Sequence, residues 1–252
     1  MSFENPLIET WRAGGTTFGF WLMSGDAYIA QLAAGSGADF VLIDMQHGLI
    51  DERSMTAQVG GIRLGGSVPV VRVPKNDFTL IGKALDVGAF GVVVPMVNDA
   101  AEASAAVAAC KFPPRGTRSY GPARVFIPSY DPDDLGRVAC IVMIETARGI
   151  EQAEAIIATP GVDAVLIGPA DLAIALGLPP DVPSELHAAT VERIRAACAA
   201  RGVPIGMVTD SGAEAREWAE RGFQLAIHAS DSGLIGGRAP VELRIARGEP
   251  AS

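Results

Sequence analysis

Ionisable side chains stand at or near the ends of short apolar runs in several parts of the sequence. Asp44 and His47 close one run (VLIDMQH), Arg72 lies in the next (VPVVRV), Glu145 closes another (IVMIE), and Asp171 follows a fourth (VLIGPAD). A charge at the end of a buried segment must be paired or must bind an ion, because an isolated buried charge is very costly. These residues therefore mark where chemistry is expected.

Glu145 and Asp171 are two carboxylates that can share a cation. They follow consecutive apolar runs, and two carboxylates with open positions for water or substrate suit Mg²⁺ or Mn²⁺ better than a His/Cys zinc site does. A second interpretation is structural: Glu145 pairs with Arg72 or Arg148, and Asp171 caps a helix that begins at Leu172. Spacing alone leaves both open, because ion-pair networks also occupy such positions.

His47 is the candidate base, because a histidine near a metal can take a proton at neutral pH. Its alternative role is that of a hydrogen-bonded residue at the edge of the site. Arg72 within a Val/Pro run needs an anion, which is either Glu145 or an enolate oxygen that develops during a reaction. Of the other histidines, His187 is expected on the solvated surface, while His228 ends the last apolar run and has no assigned role.

Eight short, nearly unbroken apolar runs must position these residues. Strands of a parallel sheet are covered on both faces and have this pattern, without the alternation of a half-exposed sheet. The predicted strands are residues 17–23, 40–43, 68–73, 90–97, 139–144, 162–167, 203–208 and 223–227.

Helix-start signals lie between these runs. Asp26, Asp51, Asp77 and Asp99 each precede a stretch of helical composition, and Asp99 with Glu102 resembles a capping box. The alternation predicts an α/β fold, a single-domain (β/α)₈ TIM barrel over residues 1–252, whose active site lies at the carboxyl ends of the strands. An open doubly wound sheet is the alternative, disfavoured because no GxGxxG follows the first strand.

Composition excludes several classes of function. Hydrophobic residues make up 49% and charged residues 19% of the chain, which suits a packed core, and a net charge of −9 argues against a nucleic-acid surface. No signal peptide or membrane-spanning run is recognised, so a cytoplasmic protein is expected.

Cys110, Cys140 and Cys198 are expected as buried, reduced thiols. Residues 113–130 are expected to form a long proline-rich loop, whose arginines (Arg115, Arg118 and Arg124) are expected to make solvated ion pairs outside the site.

The sequence resembles the HpcH/HpaI family of metal-dependent 2-oxo-acid aldolases, represented by 4-hydroxy-2-oxoheptanedioate aldolase and 2-dehydro-3-deoxyglucarate aldolase. The resemblance runs through nearly the whole chain. Its motifs are FGFWL at 18–22, LIDMQH at 42–47, VVRV at 70–73, LDVGA at 85–89, VPMV at 94–97, IET at 144–146 and IGPADL at 167–172.

This resemblance implies a reaction and roles for particular residues. The implied reaction joins or separates a small 2-oxo acid, such as pyruvate or hydroxypyruvate, and an aldehyde through an enolate, with Mg²⁺, Mn²⁺ or Co²⁺ as the cofactor. It implies a homo-oligomer, a hexamer whose last helix packs on a neighbouring barrel. By this resemblance, Glu145 and Asp171 are the metal ligands, and Gly168 and Ala170 seat the 2-oxo acid. His47 is the base, supported by Asp86 from the same or a neighbouring chain. Arg72, beside Asp44, stabilises the enolate, and Trp21 lines the aldehyde pocket.

Two departures from the family pattern affect the surroundings of the site. Gln46 stands where the family often has a carboxylate, and Met143 stands where it often has an amide. Both predicted metal ligands are retained, so the departures bear on the choice of donor or acceptor. The alternatives are a CoA-ester lyase or oxaloacetate decarboxylase on the same barrel, a Schiff-base aldolase, and a catalytically silent protein that binds a metal or a 2-oxo acid.

Overall fold

Eight parallel strands close into one barrel in chain order in the computed structural model, which describes residues 4–121, 137–180 and 182–250. Each predicted apolar run overlaps one strand, and the predicted (β/α)₈ barrel is confirmed. The strands are β1 Thr17–Leu22, β2 Phe40–Asp44, β3 Val68–Arg72, β4 Gly91–Val94, β5 Ala139–Met143, β6 Ala164–Ile167, β7 Ile205–Val208 and β8 Leu225–Ser230.

Helices surround the barrel and begin, with few exceptions, near the carboxyl end of the preceding strand. Side chains of Asp26, Asp51, Asp77 and Asp99 accept backbone N–H groups at the predicted helix starts. The described helices are α1 Pro6–Arg12, α2 Ala27–Gly35, α3 Glu52–Leu64, α4 Phe78–Asp86, α5 Ala100–Cys110, α6 Ala147–Glu151, α7 Ala153–Ile157, α8 Pro169–Ala175, α9 Glu185–Arg201, α10 Gly212–Glu220 and α11 Asp231–Ala246.

Three local predictions are corrected. Strand β4 stops at Val94 and does not extend over 90–97, since proline follows and Met96 adopts a positive φ of 58°. The predicted capping box at Asp99 is only half formed, because the Glu102 carboxylate accepts from the backbone N–H of Asn98. Helix α8 begins at Pro169, three residues before the predicted start, so Asp171 lies within its first turn and is not its N-cap.

Strand side chains alternate between two cores, one between strands and helices and one inside the barrel. The inner core includes Leu42, Val70 and Met143. Residues two positions apart on a strand share a face, so Asp44, Arg72 and Glu145 are directed toward the barrel axis just above this inner core. Trp21 belongs to the inner core itself.

Helix α1 closes the amino-terminal end of the barrel. The amide of Asn5 donates to the carbonyls of Phe90 and Arg137, just before β4 and β5, and the indole N–H of Trp11 donates to the hydroxyl of Thr17 at 3.0 Å. The candidate site therefore lies at the opposite, open end.

The cysteines are buried free thiols, as predicted. Burial raises the pKa of Cys198 to about 12, which keeps its thiol protonated. The loop predicted at 113–130 is described only as far as residue 121, and Arg124 lies outside the described residues. No helix among the described residues has both the length and the apolar character needed to cross a bilayer.

Candidate active site

Arg72 and Asp44 form a two-point ion pair across neighbouring positions of β3 and β2. Nε of Arg72 donates to Oδ1 of Asp44 at 2.8 Å, and Nη2 donates to Oδ2 at 2.6 Å. The indole N–H of Trp21 donates to the same Oδ2 at 3.2 Å, and the guanidinium lies 4.5 Å from the centre of the Trp21 ring. Arg72 is therefore held in one orientation by a carboxylate and an aromatic face.

The anion that accompanies Arg72 at rest is thus Asp44, and Glu145 makes no ion pair with it. Burial by itself would raise the pKa of Asp44, but the hydrogen bonds and charge of Arg72, with the backbone N–H groups of Gln46 and His47, outweigh it and lower the pKa below its ordinary value. Asp44 therefore stays ionised and anchors both Arg72 and the turn that carries His47.

Glu145 has one satisfied oxygen and one unsatisfied oxygen. Its Oε1 accepts the backbone N–H of Met96 at 2.9 Å, and this residue has the positive φ noted above. Its Oε2 is buried and accepts no hydrogen bond from the described residues, although Glu145 is only 2% exposed. A buried carboxylate oxygen without a donor is costly, so this atom indicates a missing ligand.

The electrostatic surroundings of Glu145 point in the same direction. Burial raises its pKa to about 7; the negative charge of Asp171 adds to the rise, while the Met96 N–H and the charge of Arg72 oppose it. The structural alternative, a salt bridge to Glu145, is not observed in the described part of the chain, where Arg72 pairs with Asp44 and Arg148 pairs with Asp99 at 2.6 Å.

Gly168 leaves space in front of the unsatisfied oxygen. A Cβ at this position would lie 2.6 Å from Oε2 of Glu145 and 3.0 Å from Cε of Met143. Gly168 is the N-cap of α8 and provides no capping side chain for the helix start at which Ala170 and Asp171 lie, both exposed. The N–H groups of a first helical turn have no partner within the helix and can meet a negatively charged group.

These features fit a hard divalent cation. Both side chains are carboxylates, one oxygen has no donor, and space is kept beside it, as oxygen ligands for Mg²⁺ or Mn²⁺ require. Among the described residues no group of three or more His, Cys, Asp or Glu side chains is placed to hold a metal. A cation between Glu145 and Asp171 would therefore need further ligands from water, substrate or backbone.

The three histidines have different positions. His47 is exposed at the edge of the site, and its backbone N–H lies 3.3 Å from Oδ1 of Asp44. The prediction that His187 is a solvated surface residue is wrong, because its ring is half-buried and Nε2 lies 3.1 Å from the carbonyl oxygen of Pro169, at the start of α8. His228 packs edge-on against Phe20, a member of the outer core, so it is directed away from the site.

Asp86 does not meet His47 within one chain. It is the last residue of α4, which begins beyond β3 at the open end and runs back toward the amino-terminal end of the barrel. There it accepts Nη2 of Arg118 at 2.8 Å, and the guanidinium of Arg118 lies over the Phe112 ring.

Arg118 is outside the predicted site, yet its side chain is only 1% exposed. The sequence favours a solvated ion pair here, because loop arginines of an acidic protein usually pair at the surface. Only the anionic partner, 32 residues away in sequence, shows that the guanidinium is buried and paired.

The three lysines of the chain pair with groups outside the candidate site. Lys75 pairs with Asp77 and Lys83 pairs with Glu52, each at the exposed surface. Lys111 donates to the carbonyl of Val138 at the amino-terminal end of the barrel. None of them is placed to form a Schiff base with a substrate at the open end.

Comparisons with known proteins identify the family of this chain. Residues 17–235 match the model of the HpcH/HpaI aldolase/citrate lyase family. The chain is 42% identical over 214 residues to 4-hydroxy-2-oxovalerate aldolase of Rhodococcus jostii (80% of each chain), and 34% identical over 236 residues to hydroxypyruvate/pyruvate aldolase of Rhizorhabdus wittichii (92% of this chain, 94% of the relative). A solved HpcH/HpaI family protein from Burkholderia cenocepacia superposes with a TM-score of 0.91 at 32% identity, covering 97% of this chain and 100% of the other. This chain, whose barrel has the paired Arg72 and the unsatisfied Glu145 at its open end, therefore belongs to the HpcH/HpaI aldolase/citrate lyase family.

Proposed function

We propose that this chain is a divalent-metal-dependent aldolase that forms and breaks a carbon–carbon bond between a small 2-oxo acid, such as pyruvate or hydroxypyruvate, and an aldehyde. The observation that carries the proposal is the buried Oε2 of Glu145, which has no donor among the described residues and faces the space kept by Gly168. Relatives named as hydroxypyruvate/pyruvate aldolases support this choice of donor.

Glu145 and Asp171 would hold Mg²⁺, Mn²⁺ or Co²⁺. When bound, such a cation supplies Lewis-acid polarisation of the keto group. Gly168 and the backbone of Ala170, at the start of α8, would seat the carboxylate of the 2-oxo acid, because free N–H groups at a helix start favour an anion.

Arg72 would stabilise the enolate of the 2-oxo acid. Its Nε and Nη2 are committed to Asp44, and Nη1 forms no hydrogen bond with any described residue. Because the guanidinium is already oriented, little reorganisation is needed when negative charge develops on the enolate oxygen.

His47 would move the proton. In cleavage, the imidazole takes the proton of the C4 hydroxyl, the C3–C4 bond breaks to release the aldehyde, and the electron pair remains on the enolate, which is then protonated at C3. In the reverse direction, in which the carbon–carbon bond forms, the same base removes a C3 proton from the 2-oxo acid. Trp21, which the resemblance assigned to the aldehyde pocket, would instead support Asp44 and Arg72 from the inner core, below the opening at which the aldehyde would lie.

An aldol-cleavage screen tests the proposal. A series of 4-hydroxy-2-oxo acids is supplied to chelator-treated protein with and without Mg²⁺, Mn²⁺ or Co²⁺, and pyruvate is measured through lactate dehydrogenase. We expect pyruvate release only with added metal. Full activity of the metal-free protein, or inactivation by borohydride together with pyruvate, would contradict the metal mechanism.

We further propose that the protein acts as a homo-oligomer, with a hexamer as the expected form. Helix α11 exposes the apolar side chains of Leu234, Ile235, Leu243 and Ile245, a surface suited to burial against a second copy. Asp86 lies at the end of its own barrel away from His47, so it would support the base of a neighbouring chain.

A further inference from the structure

Asp231 is a buried carboxylate near the active site that the proposed mechanism does not use. It is the first residue of α11 and only 4% exposed. Its Oδ1 accepts the backbone N–H of Met23 at 2.9 Å, and its Oδ2 accepts both the N–H of Ser24, at 3.0 Å, and the hydroxyl of Ser24, at 2.5 Å. One carboxylate therefore fixes the segment that leaves β1.

That segment supports the turn that carries His47. The carbonyl of Met23 accepts the backbone N–H of Leu49 at 2.8 Å. A Cβ on Gly48 would lie 3.1 Å from the same carbonyl oxygen and 2.2 Å from the carbonyl oxygen of Asp44, so the turn packs directly against both.

The turn is thus held from two sides. Inside the barrel, the Asp44 carboxylate accepts the N–H groups of Gln46 and His47. Outside the barrel, the carbonyl of Met23, in the segment that leaves β1, lies close to Gly48 and accepts the N–H of Leu49. The amide of the buried Gln58, in α3, donates to the carbonyl of Ser24 at 2.7 Å and completes the outer support.

Asp231 also joins this support to α11. It is the only buried residue of that helix, all of whose residues the structure describes. The helix as a whole, Asp231 included, contacts the barrel mainly at β1 and β8. Asp231 is therefore the side chain that connects α11 to the support of the turn carrying His47.

We infer that Asp231 is a positioning residue: through Met23 and Ser24 it holds the turn that places His47 at the mouth of the barrel. The catalytic part of this inference rests on the proposed function, whereas the mechanical part does not. A charged acceptor suits this position, because three backbone N–H groups, those of Met23, Ser24 and Ser232, and the Ser24 hydroxyl converge on it.

Asp231→Asn tests the inference. The amide retains one acceptor oxygen but turns an NH₂ group toward Ser24 or Met23. Asp77→Asn is the matched control, because Asp77 also accepts two backbone N–H groups at a helix start on the same end of the barrel, without contact to the turn. Ser24→Ala is a milder second variant that removes only the hydroxyl hydrogen bond.

Two readouts are measured on the intact protein: backbone amide hydrogen exchange over residues 45–50, and the exchange of pyruvate methyl protons with deuterated water. In Asp231→Asn we expect amide exchange at 45–50 to rise and kcat for proton exchange to fall about tenfold or more, with KM for pyruvate and metal affinity within about twofold of wild type. Ser24→Ala should show smaller changes in the same direction, and Asp77→Asn should change neither readout.

Increased amide exchange at 45–50 in Asp231→Asn with unchanged kcat would reject the catalytic part of the inference. Unchanged amide exchange at 45–50 in Asp231→Asn, or an equal rise in Asp77→Asn, would overturn the positioning role. Increased amide exchange confined to Asp231→Asn and Ser24→Ala, in a protein whose wild type exchanges no pyruvate protons, would support the mechanical link and reject the proposed function.

Discussion

Two buried carboxylates at the mouth of the barrel have pKa values that move in opposite directions: burial acts to raise both, and at Asp44 the hydrogen bonds and charge of Arg72 reverse the effect. Arg72 pairs with Asp44, and the pKa of Asp44 falls. Glu145 has a single backbone donor, and burial raises its pKa to about 7. The mouth therefore contains one buried cation and an excess of carboxylate. A divalent cation is the group that would balance this excess.

The raised pKa of Glu145 predicts a pH dependence of the metal-free protein. Between pH 4.5 and about 7, native Glu145 keeps a proton that the unfolded chain has released. The resulting contribution to the free energy of unfolding, roughly 3 kcal/mol, is complete below the unfolded pKa and lost as the pH rises through the native one. Glu145→Gln should remove this slope in chemical denaturation, whereas Glu154→Gln, at an exposed position of α7, should keep it.

Metal affinity should show the complementary trend, because the cation and the proton compete for the same oxygen. Calorimetric titration is expected to give affinity that rises with pH up to about 7 and then levels off. An affinity independent of pH, or unaffected in Glu145→Gln, would contradict the assignment of Glu145 as a ligand.

The roles proposed for His47 as base and for Arg72 as enolate stabiliser can be tested without knowledge of the aldehyde. His47→Ala should slow the exchange of pyruvate methyl protons with deuterated water by about 10²–10⁴, the usual effect of losing a positioned base. Arg72→Lys should also be impaired, because an ammonium cannot reproduce the two-point contact with Asp44 that orients the guanidinium. Wild-type exchange rates by NMR in both variants would show that these roles are wrongly assigned.

At the scale of elements, the junction between β6 and α8 makes a steric prediction. Gly168 has φ −90°, which alanine also adopts, so Gly168→Ala acts through space and not through backbone strain. Its Cβ would meet Oε2 of Glu145 at 2.6 Å. We expect metal affinity to fall about tenfold or more.

Gly82→Ala, in the middle of α4, is the matched control. Nothing lies within 4 Å of its added Cβ, so this variant should keep full metal affinity and gain roughly 0.5–1 kcal/mol of stability. Equal metal affinity in Gly168→Ala and Gly82→Ala would show that the space beside Glu145 is not used by a ligand.

Much of the architecture follows from local pattern. The strands are covered on both faces, so their apolar runs are visible in the sequence, and aspartates precede four of the helices as caps. The inward direction of Asp44, Arg72 and Glu145 follows from strand alternation once the barrel is accepted. These features depend on neighbours in sequence, which a single chain displays.

Other features depend on contacts between distant segments. The sequence suggests Glu145 as the resting partner of Arg72, whereas the structure pairs Arg72 with Asp44 on the neighbouring strand. The burial of Arg118 depends on Asp86, and the half-buried position of His187 depends on the turn at Pro169. The spacing of residues along the chain does not show which distant group a side chain will contact.

At the scale of the whole molecule, the position of Asp86 predicts subunit complementation. If Asp86 supports His47 of a neighbouring chain, a mixed oligomer of His47→Ala and Asp86→Asn chains contains some sites with neither change. Random mixing should restore about a quarter of wild-type activity. Activity of the mixture is compared with that of each variant alone.

The control mixture combines His47→Ala with Arg72→Lys. Both residues come from one mouth of one chain, so every site lacks one of them and no activity should return. Failure of the first mixture, with mixed oligomers verified by mass spectrometry, would exclude support of the base across subunits.

The plug formed by α1 and the inner core has a kinetic consequence. In the described part of the chain the barrel interior is filled from Trp11 upward, so reactants and products share the opening at the mouth. In the proposed mechanism, the buried Glu145 and Arg72 would hold the 2-oxo acid beneath the aldehyde, which would lie beside the exposed His47. Departure would then be sequential, with the aldehyde first and the 2-oxo acid last. In steady-state cleavage assays, pyruvate should inhibit competitively against the hydroxy-oxo acid, and the aldehyde noncompetitively; the reverse pattern would mean that the donor has its own exit.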